Sequence, residues 1–167
     1  FADPMCSWCW GFSPVIEAVR SQYHDRMKIA LVLGGLRHET APMVAAQRDE
    51  ILHHWHAVHE RTGQPFHFDG ALPDGFIYDT EPACRAVVTA SGIDPAQIFA
   101  IFKAIQSAFY AEGRDVTRAD VLADLTAALG IDVSRFLQTF DSDEARARTQ
   151  AHFRQARIAG VKGFPTL

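Results

Sequence analysis

The chain has 167 residues, and 16 Lys+Arg against 20 Asp+Glu give a formal net charge of −4. With 48% hydrophobic and 22% charged residues it can bury a core, which excludes a disordered chain, and the acidic balance gives no electrostatic reason to bind nucleic acid or an anionic membrane. The longest apolar run, Ile29 to Leu36, is too short to span a bilayer, and three cysteines cannot all pair within one molecule, which excludes a disulfide framework.

Phe1-Ala2-Asp3-Pro4 reads as the end of a strand. Pro4 restricts the backbone before a helix predicted from about Cys6 to Tyr23, with Val15, Ile16, Val19 and Tyr23 as its buried stripe and a kink at Pro14. Met27 to Leu33 is predicted as a strand, apolar on both faces and so interior to a sheet covered by helices; Gly34-Gly35 ends it. The middle of the chain reads as helical. A helix over about Met43 to Arg61 is followed by a loop rich in Gly and Pro, then a helix from Thr80-Glu81-Pro82 to Ser91-Gly92. Asp94, Pro95 and Gln97 form the next start signal, with Ile93 and Ile98 as a staple, and Ile98, Phe102, Ile105 and Phe109 make that helix's apolar stripe. Thr117 and Asp120 suggest a capping box for a helix stopped by Gly130. Ser134 opens a short helix, and Asp141 to Glu144 opens a last one reaching about Ile158.

Two strands around one helix form a βα unit whose sheet continues elsewhere, so the fold class is α/β. Residues 1–39 and 141–167 are expected to make its core, and residues 40–140 a helical insertion forming its own lobe. The start at Phe1 rather than Met, and the strand-like end at Phe164-Pro165-Thr166-Leu167, lead to the expectation of a fragment cut at both ends.

Cys6-Ser7-Trp8-Cys9 is a C-x-x-C at a strand-to-helix junction. Unpaired N–H groups and the positive end of the helix dipole favour a thiolate there. An exposed thiol so placed can titrate at roughly 3.5–7.5 instead of about 8.5. Cys6 would sit at the reachable end, and Cys9, nearly one turn further in, could resolve a mixed disulfide. The competing readings are half of a zinc site, completed by Cys84 and a histidine, or an inert pair.

Gly160 to Leu167 places Pro165 at the start of a strand after a glycine-containing loop, a candidate cis peptide bond. Together with the C-x-x-C it resembles the thioredoxin fold, in which such a loop faces the active-site disulfide and the residue before the proline, here Phe164, pairs with an extended substrate. The chain resembles the DsbA family of thioredoxin-fold oxidoreductases, closest to its FrnE-like bacterial branch. The likeness rests on Asp3 to Phe12, Tyr78 to Ala86, Glu112 to Val116 and Gly160 to Leu167. It implies a thioredoxin-like core, incomplete at both ends, with a large α-helical insertion. It also implies Cys6 as the nucleophile, Cys9 as the resolving cysteine and Pro165 as the cis-proline.

The reading that follows is a disulfide oxidoreductase or isomerase for protein or peptide thiols, with Trp8, Phe164 and Pro165 against the substrate. It needs no cofactor for the exchange itself. Ser7-Trp8 stands where the family's well-known periplasmic oxidant has Pro-His, so no imidazolium assists the thiolate from within the motif. Glutathione is a further candidate partner, and an unpaired Cys84 leans towards a reducing cytoplasm. One rival is a glutathione-dependent isomerase or transferase of the 2-hydroxychromene-2-carboxylate isomerase or kappa-class type, whose members typically carry serine where Cys6 stands. The other is a non-enzymatic metal-binding module.

Weaker candidates have blander readings. His53, His54, His56, His59 and His67 cluster in one region, where an exposed polar face is the simpler account than a metal site. Cys84 reads as a buried core cysteine. Trp8, Trp10 and Phe12 could line a peptide groove or simply pack. Asp3 could relay a proton to Cys9 or cap a turn. Arg114 and Asp115 read as loop residues.

Overall fold

A computed structural model describes all residues 1–167. Seven α-helices dominate: α1 (Ser7–Gln22), α2 (Ala45–Thr62), α3 (Glu81–Ile93), α4 (Ile98–Tyr110), α5 (Ala119–Ala128), α6 (Val133–Phe140) and α7 (Asp143–Ile158). No helix is long and apolar enough to cross a membrane.

Local chemistry explains most boundaries. Asp94 accepts from Ala96 N–H at 3.0 Å and opens a 3₁₀ turn over Pro95–Gln97 that leads into α4. Asp132 caps α6 and Ser142 caps α7, each one or two residues from the position read in the sequence. The expected box of Thr117 and Asp120 does not form. Asp115 instead accepts from both Thr117 N–H and its hydroxyl, and Asp120 pairs with Arg118. A side chain two residues upstream reaches the turn more directly than one on the helix. Arg114, read as a loop residue, pairs with Asp124 at 3.2 Å.

Helix α1 continues through Pro14. A proline cannot donate to the carbonyl four residues back, and the Gln64 side chain supplies that bond, donating to Trp10 O at 2.9 Å. The expected α1 stripe is not the buried one. Val15 is half exposed and Ile16, Val19 and Tyr23 are only partly covered, while Cys9, Trp10, Gly11 and Ser13 are buried. The helix thus turns its buried face to α2 and α4, which pack against it.

The predicted strand over Met27 to Leu33 is also corrected. Only Leu33 joins a bridge, parallel to Ala2, and only Leu33 of that run is buried. The pairing of this run is confined to Ala2. Ala2 N–H donates to Val32 O and Gly34 N–H to Ala2 O, while Phe1 and Thr166 exchange hydrogen bonds on the other side of the same segment. Residues 1–2 therefore lie between residues 32–34 and the segment around Thr166. Phe12, Ile16, Val19, Ile29, Leu31 and Phe102 line an apolar groove of about 470 Å³ beside this seam.

The buried interior is one contiguous cluster running from Met5, Cys6, Cys9 and Trp10 through α2, α3 and α4 to Phe136, Phe140 and Phe153. At its centre Trp55, Phe109 and Tyr110 meet edge to face, with ring centroids 4.9–5.5 Å apart. Arg85 on α3 is buried among these apolar residues. It pairs with Glu81, donates to Phe140 O at 2.7 Å and lies over the Phe140 ring.

Candidate active site

Cys6 is the N-cap residue of α1, in extended backbone (φ −98°, ψ 118°). No side chain caps this helix end, so the first-turn N–H groups remain available to a thiolate. Cys9 sits in the first turn. Both sulfhydryls are free, and the two residues are nearly equally covered, at 5% and 4% exposure. The expected open position of Cys6 is therefore corrected: the loop carrying Phe164 covers it. Cys6 Sγ donates to Phe164 O at 3.4 Å, and the Phe164–Pro165 peptide bond is cis.

The seat of that loop depends on a glycine. The Phe164 ring lies against Gly34, where an added Cβ would fall 1.8 Å from a ring carbon. Gly34, which reads in the sequence as part of a strand end, thus provides the floor for the loop opposite Cys6, while its neighbour Gly35 faces Phe153.

The two thiols differ in acidity for physical reasons. Cys6 is held below the ordinary thiol range, first by a hydrogen bond from the Cys9 thiol to its thiolate, against the opposing effect of burial. Cys9 is pushed well above that range, first by burial. The arrangement yields one thiol of lowered pKa and one of raised pKa, three residues apart at the start of α1.

Beneath the pair lies Asp3, the chain's one buried carboxyl. Its carbonyl accepts from Cys6 N–H at 3.2 Å. Its side chain accepts from Met5 N–H at 2.9 Å, Leu36 N–H at 2.8 Å, the Thr80 hydroxyl at 3.0 Å and the Cys84 thiol at 3.4 Å. Burial pushes the carboxyl up, and these donors oppose that shift. Cys84 is buried, as its sequence context suggests, but it is bonded to Asp3 rather than surrounded by apolar groups alone. Tyr78 donates to Met5 O at 2.7 Å and closes the site from the α3 side. Thr80 and Tyr78 lie in the Tyr78 to Ala86 stretch, but nothing in their spacing pointed at Asp3.

The remaining candidates separate. Trp8 is 46% exposed beside the cysteines, whereas Trp10 is buried with its indole N–H on Pro65 O, and Phe12 lines the apolar groove. The histidines do not converge. His56 stacks on Phe68, His59 bonds Gln64 O, and no three His, Cys, Asp or Glu side chains are grouped to hold a metal ion.

A family model for the DSBA-like thioredoxin domain matches residues 1–167. The structure is similar to the crystal structure of a candidate protein disulfide isomerase from Nitrosomonas europaea, with 52% identity and a TM-score of 0.92 over 98% of this chain and 79% of that one. It is also similar to the cytosolic disulfide reductase DsbM from Pseudomonas aeruginosa with GSH, at 34% identity and a TM-score of 0.82 over 99% of this chain and 81% of that one. In sequence it is 23% identical to the ClpXP adapter protein SpxH of Halalkalibacterium halodurans and 20% identical to that of Bacillus subtilis. The chain spans 56% of the length of each of these two curated relatives. The chain belongs to the DSBA-like thioredoxin domain family.

Proposed function

We propose that the Cys6–Cys9 pair exchanges disulfides with protein or peptide substrates, with Cys6 as the attacking sulfur and Cys9 as the resolving one. The observation that carries this reading is the placement of Cys6 Sγ, at the start of α1 that no side chain caps and 3.4 Å from the Phe164 carbonyl. A substrate strand laid along Phe164-Pro165 would bring its own sulfur to the same point, by the hydrogen bonding that adds a strand to an edge. Trp8, exposed beside the pair, offers that strand an apolar contact.

The exchange runs in two displacements. The Cys6 thiolate attacks one sulfur of the substrate disulfide, and the other sulfur leaves as a thiolate. Cys9 then attacks Cys6, forming the Cys6–Cys9 bond and releasing the second substrate thiolate. The substrate gains two electrons and the pair loses them. Glutathione, present in the similar DsbM structure, is the reductant that would return the pair to its dithiol form in a cytoplasmic setting. Residues 40–140 serve in this reading as a helical lobe covering one side of the pair.

Incubating Cys9→Ser with a disulfide-bonded peptide tests this. Mass spectrometry is expected to find the peptide held on Cys6 as a stable mixed disulfide, and to find none on Cys6→Ser. A Cys9→Ser variant that turns over normally, and only with glutathione, would instead identify a glutathione-dependent isomerase or transferase.

A further inference from the structure

The segment that passes the cysteines carries a loosely countered cation. Gly34 lies under the Phe164 ring, Leu36 N–H donates to Asp3 at 2.8 Å, and Arg37 follows at once. Thr80 holds the Arg37 backbone on both sides. Thr80 N–H donates to Arg37 O at 3.1 Å, and Arg37 N–H donates to the Thr80 hydroxyl at 3.4 Å. The guanidinium lies over the Tyr78 ring, 5.1 Å from its centroid. The Tyr78 hydroxyl in turn donates at 2.7 Å to the carbonyl of Met5, the residue before Cys6. One aromatic side chain therefore spans the distance from Arg37 to the start of the C-x-x-C.

Arg37 differs from other arginines of the chain in how its charge is met. Arg48, Arg85, Arg114 and Arg118 each hold a carboxylate oxygen within 3.2 Å. Arg37 meets Glu39 only at 4.0 Å, and the two side chains are 36% and 52% exposed. A guanidinium laid on an aromatic face is pre-organised, and its N–H fork suits a carboxylate arriving from solvent.

We propose that Arg37 binds a carboxylate of glutathione, the thiol that resets the pair, while the glutathione sulfur bonds to Cys6. This rests on the redox reading of Cys6 and Cys9. The glutathione thiolate attacks Cys6 of the bridged pair, the Cys6–Cys9 bond breaks, and Cys9 leaves as a thiolate that takes a proton from solvent. A second glutathione thiolate attacks the glutathione sulfur of the mixed disulfide and releases the Cys6 thiolate. Two thiols become one disulfide, and the pair gains two electrons. The glycine carboxylate of glutathione stands within two residues of chain from its cysteine, a reach of about 7 Å. That reach is comparable with the tyrosine side chain that separates Arg37 from the motif. Thiols that lack a carboxylate gain nothing from Arg37, so the contact sets which reductant the pair takes.

The test uses the whole chain in its bridged form and two thiols of one skeleton, glutathione and its diethyl ester. Quenched-flow alkylation and mass spectrometry read the rate of reduction by each. The ratio of the two rates is expected to favour glutathione about tenfold more in the unmodified protein than in Arg37→Met, the scale of one hydrogen bond to a charged group. Arg37→Lys should keep a larger share of that preference than Arg37→Met, and added salt should weaken it in the unmodified protein. A preference that ignores salt overturns the proposal without any variant. So does an Arg37→Met protein that reacts more slowly with both thiols by the same factor, which would make Arg37 merely structural. If the unmodified protein never forms the Cys6–Cys9 bridge, both the proposal and the redox reading fall. If it does, and the ratio is the same with and without Arg37, only the proposal does.

Discussion

Cys6 Sγ lies 3.4 Å from the carbonyl oxygen of Phe164, a residue 158 positions further along the chain. One helix start and one loop from opposite ends of the sequence therefore build the site between them. The sulfur is positioned by the cap of α1, and the carbonyl is positioned by Gly34 beneath the Phe164 ring.

Gly34→Ala tests the second half of that statement. The added methyl meets the Phe164 ring, which must leave its seat and carry the loop with it. Overpacking of this kind costs about 1–3 kcal/mol. Denaturant titration is expected to show a loss in that range, and turnover of a disulfide substrate to fall with it. Adding Phe164→Leu removes the clashing ring and should recover much of the stability. Equal stability of Gly34→Ala and the unmodified chain would mean that the ring does not depend on this floor.

The acidity of Cys6 depends first on its neighbour's thiol. Cys9→Ala removes that donor, so the Cys6 thiolate loses its main support and the thiol becomes less acidic. Iodoacetamide labelling of Cys6, followed against pH, is expected to shift its midpoint upward and to slow at neutral pH. An unchanged profile would assign the acidity to the helix end alone.

Asp3 links stability to pH. Burial raises its carboxyl above the ordinary value of 3.8, so the folded protein holds this proton at a pH where the unfolded chain has released it. The sign follows: the contribution is fully present below the unfolded value and is lost as pH rises through the folded one. Asp3→Asn removes the titration. Chemical denaturation at a series of pH values should show a gap between the two proteins that changes across this window, and a constant gap would contradict the assignment.

Arg85 provides a test away from the sulfurs. Its side chain is 6% exposed and pairs with Glu81, itself 13% exposed. Arg85→Met leaves Glu81 and the Phe140 carbonyl without their donor, and breaking a buried pair costs about 3–5 kcal/mol. Thermal denaturation should show the loss. A Glu81→Gln, Arg85→Met double variant should be more stable than Arg85→Met alone, because no unpaired charge is left behind.

The helical elements were legible because their signals are local. Apolar spacing reports Ile98, Phe102, Ile105 and Phe109, and Asp94 with Pro95 reports a helix start, without reference to the rest of the chain. The helix start at the C-x-x-C and the cis peptide bond before Pro165 were legible for the same reason. Strand Met27 to Leu33 was overread, because an apolar run states what a segment could pair with and not whether a partner lies beside it. The α1 stripe failed similarly: Val15 and Val19 have the spacing of a buried face, but the neighbours in this chain, α2 and α4, cover the side with Trp10. The polar network of Asp3, Thr80 and Cys84 was illegible. It joins three residues spread over 81 positions, and nothing in their local sequence distinguishes a hydroxyl that caps its helix from one that reaches away.

Phe1 and Thr166 hydrogen-bond to one another in both directions, across a separation of 165 residues. Closing so long a loop is entropically costly, with an expense that grows as the logarithm of its length. The contacts among α3, α4, α5 and α6 span far shorter intervals and can form earlier. Assembly order is thereby biased: the helices gather first, and the seam that sets residues 1–2 beside Thr166, with Cys6 next to Phe164, closes later.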